Sequence, residues 1–93
     1  MTFDQLIFRP LLNGVQALHF FDNVYGASVI KHPFSYGGPS GLYELAVIRG
    51  DEGDWVIVYD TPVTDDVEGW LSPERVTELL TQIEALPAKG DSE

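Results

Sequence analysis

Seven carboxylates fall between positions 51 and 68: Asp51, Glu52, Asp54, Asp60, Asp65, Asp66 and Glu68. Side chains of that type at that density suit three chemistries. Asp51-x-x-Asp54 and Asp65-Asp66 offer hard oxygen ligands to a divalent cation. The EF-hand pattern is missing, however, and Asp-Glu-Gly-Asp reads equally well as a turn, so no metal and no cofactor is expected. Asp60 with Asp65 and Asp66 supplies paired carboxylates of the kind used for acid–base work on glycosides. A chain of 93 residues leaves little room for a deep, dry substrate pocket. None of the serines sits in a nucleophile-elbow context, so the chain is not expected to be an enzyme. The third chemistry is imitation of nucleic acid, whose duplex carries one charge per about 1.7 Å of axis. Plain solubility is the competing use of the same acids.

Charge along the chain favours an interaction. Residues 1–50 hold Asp4, Asp22 and Glu44 against Arg9, Lys31 and Arg49, and are neutral overall. The whole formal charge of −10 therefore lies in residues 51–93, where only Arg75 and Lys89 oppose the acids. So lopsided a field repels phosphates and anionic membranes and attracts a basic protein surface. The expected partner is such a surface, with no direct nucleic-acid or membrane binding.

A second candidate surface is the loop at 33–41, Pro-Phe-Ser-Tyr-Gly-Gly-Pro-Ser-Gly. Phe34 and Tyr36 on that loop either anchor a partner or fold back over a sheet edge. Gly37-Gly38 lacks the lysine and the following helix of a phosphate loop. A small ligand such as a nucleotide would need Arg9, Lys31 or Arg49 in a concavity. His19 and His32 are expected on neighbouring strands but far apart, which leaves them no shared catalytic or metal role. Trp55 and Trp70 are expected to pack between sheet and helix, and either of them, if exposed, becomes an interface anchor.

These side chains need a scaffold, and the pattern predicts strands first and one helix last. Strands are expected at 3–9, 15–21, 25–32, 42–49 and 55–60, with turns at Asn13-Gly14, at Asp22-Asn23 and at 50–54. The helix is the best-marked element. Ser72 is an N-cap, Pro73 suits the first helical position, and Glu74 faces the positive end of the dipole. Val76, Leu79, Leu80, Ile83 and Leu86 line one helical face, and Pro87 ends it. The expected architecture is α+β: an antiparallel meander of about five strands with one C-terminal amphipathic helix packed on one face. The domain is expected to span residues 1–87, with a disordered tail at 88–93. One helix covers one face, so the opposite face is either solvated or an interface, and a homodimer through a sheet edge is a further possibility. Cysteine is absent, which excludes disulfides and thiolate sites. No apolar run approaches the length of a membrane span.

The runs Phe3-Asp-Gln-Leu, Asn23-Val-Tyr-Gly-Ala-Ser-Val, Tyr36-Gly-Gly-Pro-Ser-Gly-Leu-Tyr-Glu-Leu-Ala-Val and Tyr59-Asp-Thr-Pro-Val-Thr-Asp-Asp-Val-Glu-Gly-Trp-Leu-Ser-Pro-Glu-Arg-Val resemble a group of small bacteriophage and prophage proteins of about this length. The resemblance covers most of residues 2–87 and carries no site residues with it. It implies a phage product working in the cytoplasm of a bacterial host. The expected function is therefore a non-catalytic accessory protein that inhibits a host protein through its acidic surface. A nucleic-acid mimic acting as an anti-CRISPR or anti-restriction inhibitor is one form. The alternatives are a sponge for a nucleotide signal or a self-associating structural component.

Overall fold

The computed structural model describes residues 1–64 and 66–87. Asp65 and the expected tail at 88–93 lie outside the described residues. The fold is α+β. Strands β1 (Arg9–Leu11), β2 (Gly14–Phe20), β3 (Tyr25–Lys31), β4 (Tyr43–Asp51) and β5 (Asp54–Ile57) form an antiparallel meander in that order. A sixth described strand, β6 (Glu68–Leu71), pairs with β4 beside β5, and helix α1 (Pro73–Glu84) follows it.

The last two strands behave as one edge strand that is interrupted. Residues 54–57 pair antiparallel with Asp51 back to Ile48, and the Val58 amide still donates to Val47 O. The chain then leaves the sheet and returns, with Glu68 opposite Leu45 and Leu71 opposite Tyr43. The excursion folds Val58 and Val63 onto the core and leaves Tyr59, Asp60 and Asp66 exposed.

Strand period sorts the side chains. Ala17, Ala27, Val29, Leu45, Val47 and Leu71 turn to the helix side, where Val76, Leu79, Leu80 and Ile83 meet them with essentially no exposure. The helix begins as its residues dictate: the Ser72 hydroxyl accepts from Arg75 N at 3.2 Å, and Pro73 occupies the first turn. The other face carries Leu18, Phe20, Ile30, Ala46, Ile48, Trp55 and Ile57 around a Gln16–Ser28 hydrogen bond. No described helix covers it.

The far end of the helix is closed by a distant residue. No basic side chain stands in its last turn. Instead the Asn23 amide, on the β2–β3 turn, donates to Ile83 O at 2.9 Å, to Leu86 O at 2.8 Å and, more weakly, to Glu84 O at 3.3 Å. Its own oxygen accepts from Tyr25 N. This grip holds the next residue, Val24, at φ 67°, a conformation β-branched residues avoid. Asn23→Ala would orphan helix carbonyls and free the turn. It is expected to cost about 1–2 kcal/mol, read as a lower midpoint in urea, and an unchanged midpoint would show that water replaces the amide.

Three expectations are corrected. Residues 3–9 are not a strand: Phe3–Gln5 is a 3₁₀ turn, and strand pairing starts only at Arg9. The Thr2 amide donates to Gln5 Oε1, and Thr77 Oγ1 accepts from Phe3 N, which docks the turn on the helix. The Thr2 hydroxyl, and secondarily the Asp4 backbone, hold the Asp4 carboxyl below its ordinary range. The first hairpin turns at Leu12-Asn13, both with positive φ, while Gly14 already belongs to β2 and lies against the Lys31 carbonyl. The β4–β5 hairpin closes through only Glu52-Gly53, so β4 runs on to Asp51.

Candidate acidic and aromatic edge

The interrupted strand positions most of the residues that the sequence singles out. Asp51 and Asp54 face each other at the hairpin end. Asp51 Oδ1 accepts from Gly53 N at 3.0 Å and Asp54 N at 3.1 Å, which fixes the turn. Asp60 and Asp66 project from the excursion, and Asp66 Oδ1 accepts from Val67 N. Glu68 opens β6 and is half-buried. Among the described residues, none of these acids forms an ion pair. The two ion pairs among the described residues join the Met1 amino group to Glu84 and Arg75 to Glu78, both involving the helix.

Glu52 departs from this group. With Ile7, Arg9, Gln16 and Leu18 it lines a cavity of about 190 Å³, so the hairpin tip bends toward β1 and β2 over the uncovered face. Lys31 lines a second hollow with Asn13, Gly14, His32, Pro33, Gly38 and Pro39, while its ammonium lies 5.0 Å from the Tyr43 ring centre. His19 stacks edge-on against Phe21, and His32 Nδ1 accepts from Phe34 N. The two histidines serve different contacts. Among the described residues, no three His, Asp or Glu side chains converge as a metal set.

Tyr36 and Trp70 join the same edge. Tyr36 N donates to Glu44 Oε1 at 2.8 Å, and Tyr36 O accepts from Trp70 N at 3.1 Å. The loop at 33–41 is thus stitched to the outside of β6. Gly69 permits this, because a Cβ there would overlap Tyr36 Cβ. Phe34, Tyr36, Tyr59 and Trp70 are all exposed, as are Val56 and Ile57 of β5.

The expectation that both tryptophans pack between sheet and helix fails. Trp70 is 63% exposed. The pairing is irregular between Tyr43 and Leu45, where an extra residue on β6 forms a bulge. That bulge holds Trp70 at φ 57° and turns its indole outward. Trp55 lies opposite Gly50 on the face away from the helix and is half-buried. Exposed as it is, Trp70 takes the alternative role of a surface anchor and adds to the candidate surface. The Gly-Trp pair between an acidic run and a helix cap is the signal that marks it.

No described helix is long and apolar enough to cross a membrane. No protein-family model matches the chain, and no curated protein or solved structure gives a significant match.

Proposed function

We propose that this chain is a non-catalytic binding protein whose β5–β6 edge engages a basic surface on another protein, of the kind that otherwise holds nucleic acid. One observation carries the reading. The single interrupted edge strand and the loop stitched to it hold five carboxylates that form no ion pair among the described residues (Asp51, Asp54, Asp60, Asp66 and Glu68), and the same strand and loop carry exposed Phe34, Tyr36, Tyr59 and Trp70. Exposed aromatic anchors supply affinity where water is displaced, and surrounding acids supply steering and selection against anionic partners. A surface serving solubility alone has no use for exposed aromatics held side by side, as Tyr36 and Trp70 are by their backbone hydrogen bond. With the resemblance to phage proteins, the specific form of this proposal is an inhibitor that occupies the groove of a host defence nuclease.

The test is retention of proteins from a bacterial lysate on the immobilised chain at about 50 mM and 500 mM salt, where the Debye length falls from roughly 14 to 4 Å. A parallel column carries Asp51→Asn, Asp54→Asn, Asp60→Asn, Asp66→Asn and Glu68→Gln together. Asparagine keeps the turn acceptors of Asp51 and Asp66, so the fold is retained. A basic protein held at low salt, displaced by duplex DNA and absent from the substituted column is the expected result. Identical retention on both columns would reject the electrostatic mechanism.

A second reading has its own observation. Arg9 lines the cavity under Glu52, and Lys31 shares a hollow of about 280 Å³ with Gly38 and Pro39 of the glycine-rich loop. Both are concavities lined by a cationic residue, although the Lys31 ammonium itself lies over the Tyr43 ring. Nucleotides titrated against an amide spectrum would perturb the Gly14, Lys31 and Gly38 amides if this hollow binds phosphate.

A further inference from the structure

We infer that β5 accepts an extended, basic segment of the partner as an additional antiparallel strand, an inference that rests on the proposed acidic-edge reading and specifies how the partner docks. The backbone pattern leads there. Asp51 and Asp54 close a two-residue hairpin, and Val58 N donates to Val47 O at 2.9 Å. In an antiparallel ladder inward-bonded residues alternate with outward-facing ones. Asp54, Val56 and Val58 therefore bond to β4, whereas Trp55 and Ile57 turn their N–H and C=O groups away from it. Among the described residues no backbone group bonds to them from the outer side. Farther along the same edge the position is already taken, because Trp70 N donates to Tyr36 O. The open stretch is thus confined to β5.

Open edges invite pairing, and proteins guard them with charge. Here the guards are of one sign. Asp51 and Asp54 stand at one end of the stretch and Asp60 at the other. Arg49, opposite Val56, is half-buried on β4. A second copy of this chain would bring the same aspartates against these and is repelled. A strand with Lys or Arg at its ends meets opposite charge at both. Its apolar residues would lie beside Trp55 and Ile57 on one face and Val56 on the other, and Val56 is 54% exposed and ready to be covered. Backbone bonds supply affinity and the flanking charges supply selection, as in strand addition generally.

The probe is an acetylated, amidated octapeptide with two Lys at each end and four Val between them, with the Glu-for-Lys peptide as its counterpart. Both are titrated into the ¹⁵N-labelled chain. Expected are saturable shifts centred on the Trp55 and Ile57 amides, slower exchange of those two amides by about tenfold or more, and no response to the Glu peptide. Ile57→Pro removes an outward donor without touching the ladder to β4, and should weaken binding by about tenfold. Should that variant lose its native spectrum, amide exchange in the unsubstituted chain decides. Binding lost with the five-acid variant but unaffected by Ile57→Pro would overturn strand addition while leaving the acidic edge intact. No binding at millimolar peptide, or shifts centred on the helix, would overturn it as well.

Discussion

Leu80→Ala is expected to lower the stability of the fold by about 2–5 kcal/mol. Leu80 is fully buried and lies with Val76, Leu79 and Ile83 against Ala27, Val29, Leu45 and Val47. One helix covers most of this face, and among the described residues no second helix lies behind it to close a void. Small domains have about 5–15 kcal/mol in total, so one truncation removes a large part. For a domain of this size each kcal/mol moves Tm by roughly 4–8 °C, and the melting point should fall by about 10 °C or more. Gln82→Ala, exposed on the same helix, is the control and should stay within about 0.5 kcal/mol. A Leu80→Ala loss no larger than that of the control would mean that the helix does not dock on this face.

That such a prediction follows largely from sequence reflects where the information is local. Ser72-Pro73 and the spacing of Val76, Leu79, Leu80 and Ile83 announce the helix because cap and period lie within a few residues of each other. The β4–β5 hairpin is equally plain, since two apolar runs flank a turn. The N-terminal segment misleads. Phe3, Leu6 and Phe8 suggest a strand, although Thr2-x-x-Gln5 carries half of a capping box and Thr77 receives the turn from the far end of the chain. β6 is harder still. Its four residues include an acid and a glycine, and it exists because β4 has a vacant length of edge beyond Ile48.

The candidate surface divides in the same way. The acids and the loop aromatics are visible as composition. That Glu52 leaves the group for the cavity beside Arg9 depends on the bend of a hairpin over strands more than thirty residues away. That Tyr36 meets Trp70 depends on a bulge and on the absence of a Cβ at Gly69. Neither is encoded in local spacing. Both arise from which strand neighbours which.

Trp70 combines exposure with backbone strain, and two substitutions separate the effects. Trp70→Ala and Trp70→Gly remove the same indole and lose the same packing. They differ in backbone cost at φ 57°. The left-handed conformation costs a residue with a Cβ about 1–2 kcal/mol, and glycine recovers this less about 0.5–1 kcal/mol of chain entropy. The Gly variant should therefore be more stable than the Ala variant by up to about 1 kcal/mol, measured by urea unfolding. For partner binding the two should be alike. An exposed tryptophan beside Tyr36 that acts as a central anchor is worth about 2 kcal/mol or more, so both variants should lose affinity by roughly thirtyfold for the basic protein retained on the unsubstituted column. Trp70→Phe, which keeps an aromatic ring at the same backbone angle, should retain most of it. Strain kept at an exposed position is what a functional surface explains and a packing role does not. If the Ala variant matches the Gly variant in stability, the bulge does not strain residue 70. If both bind as the unsubstituted chain does, the indole has no part in recognition and the acids act without it.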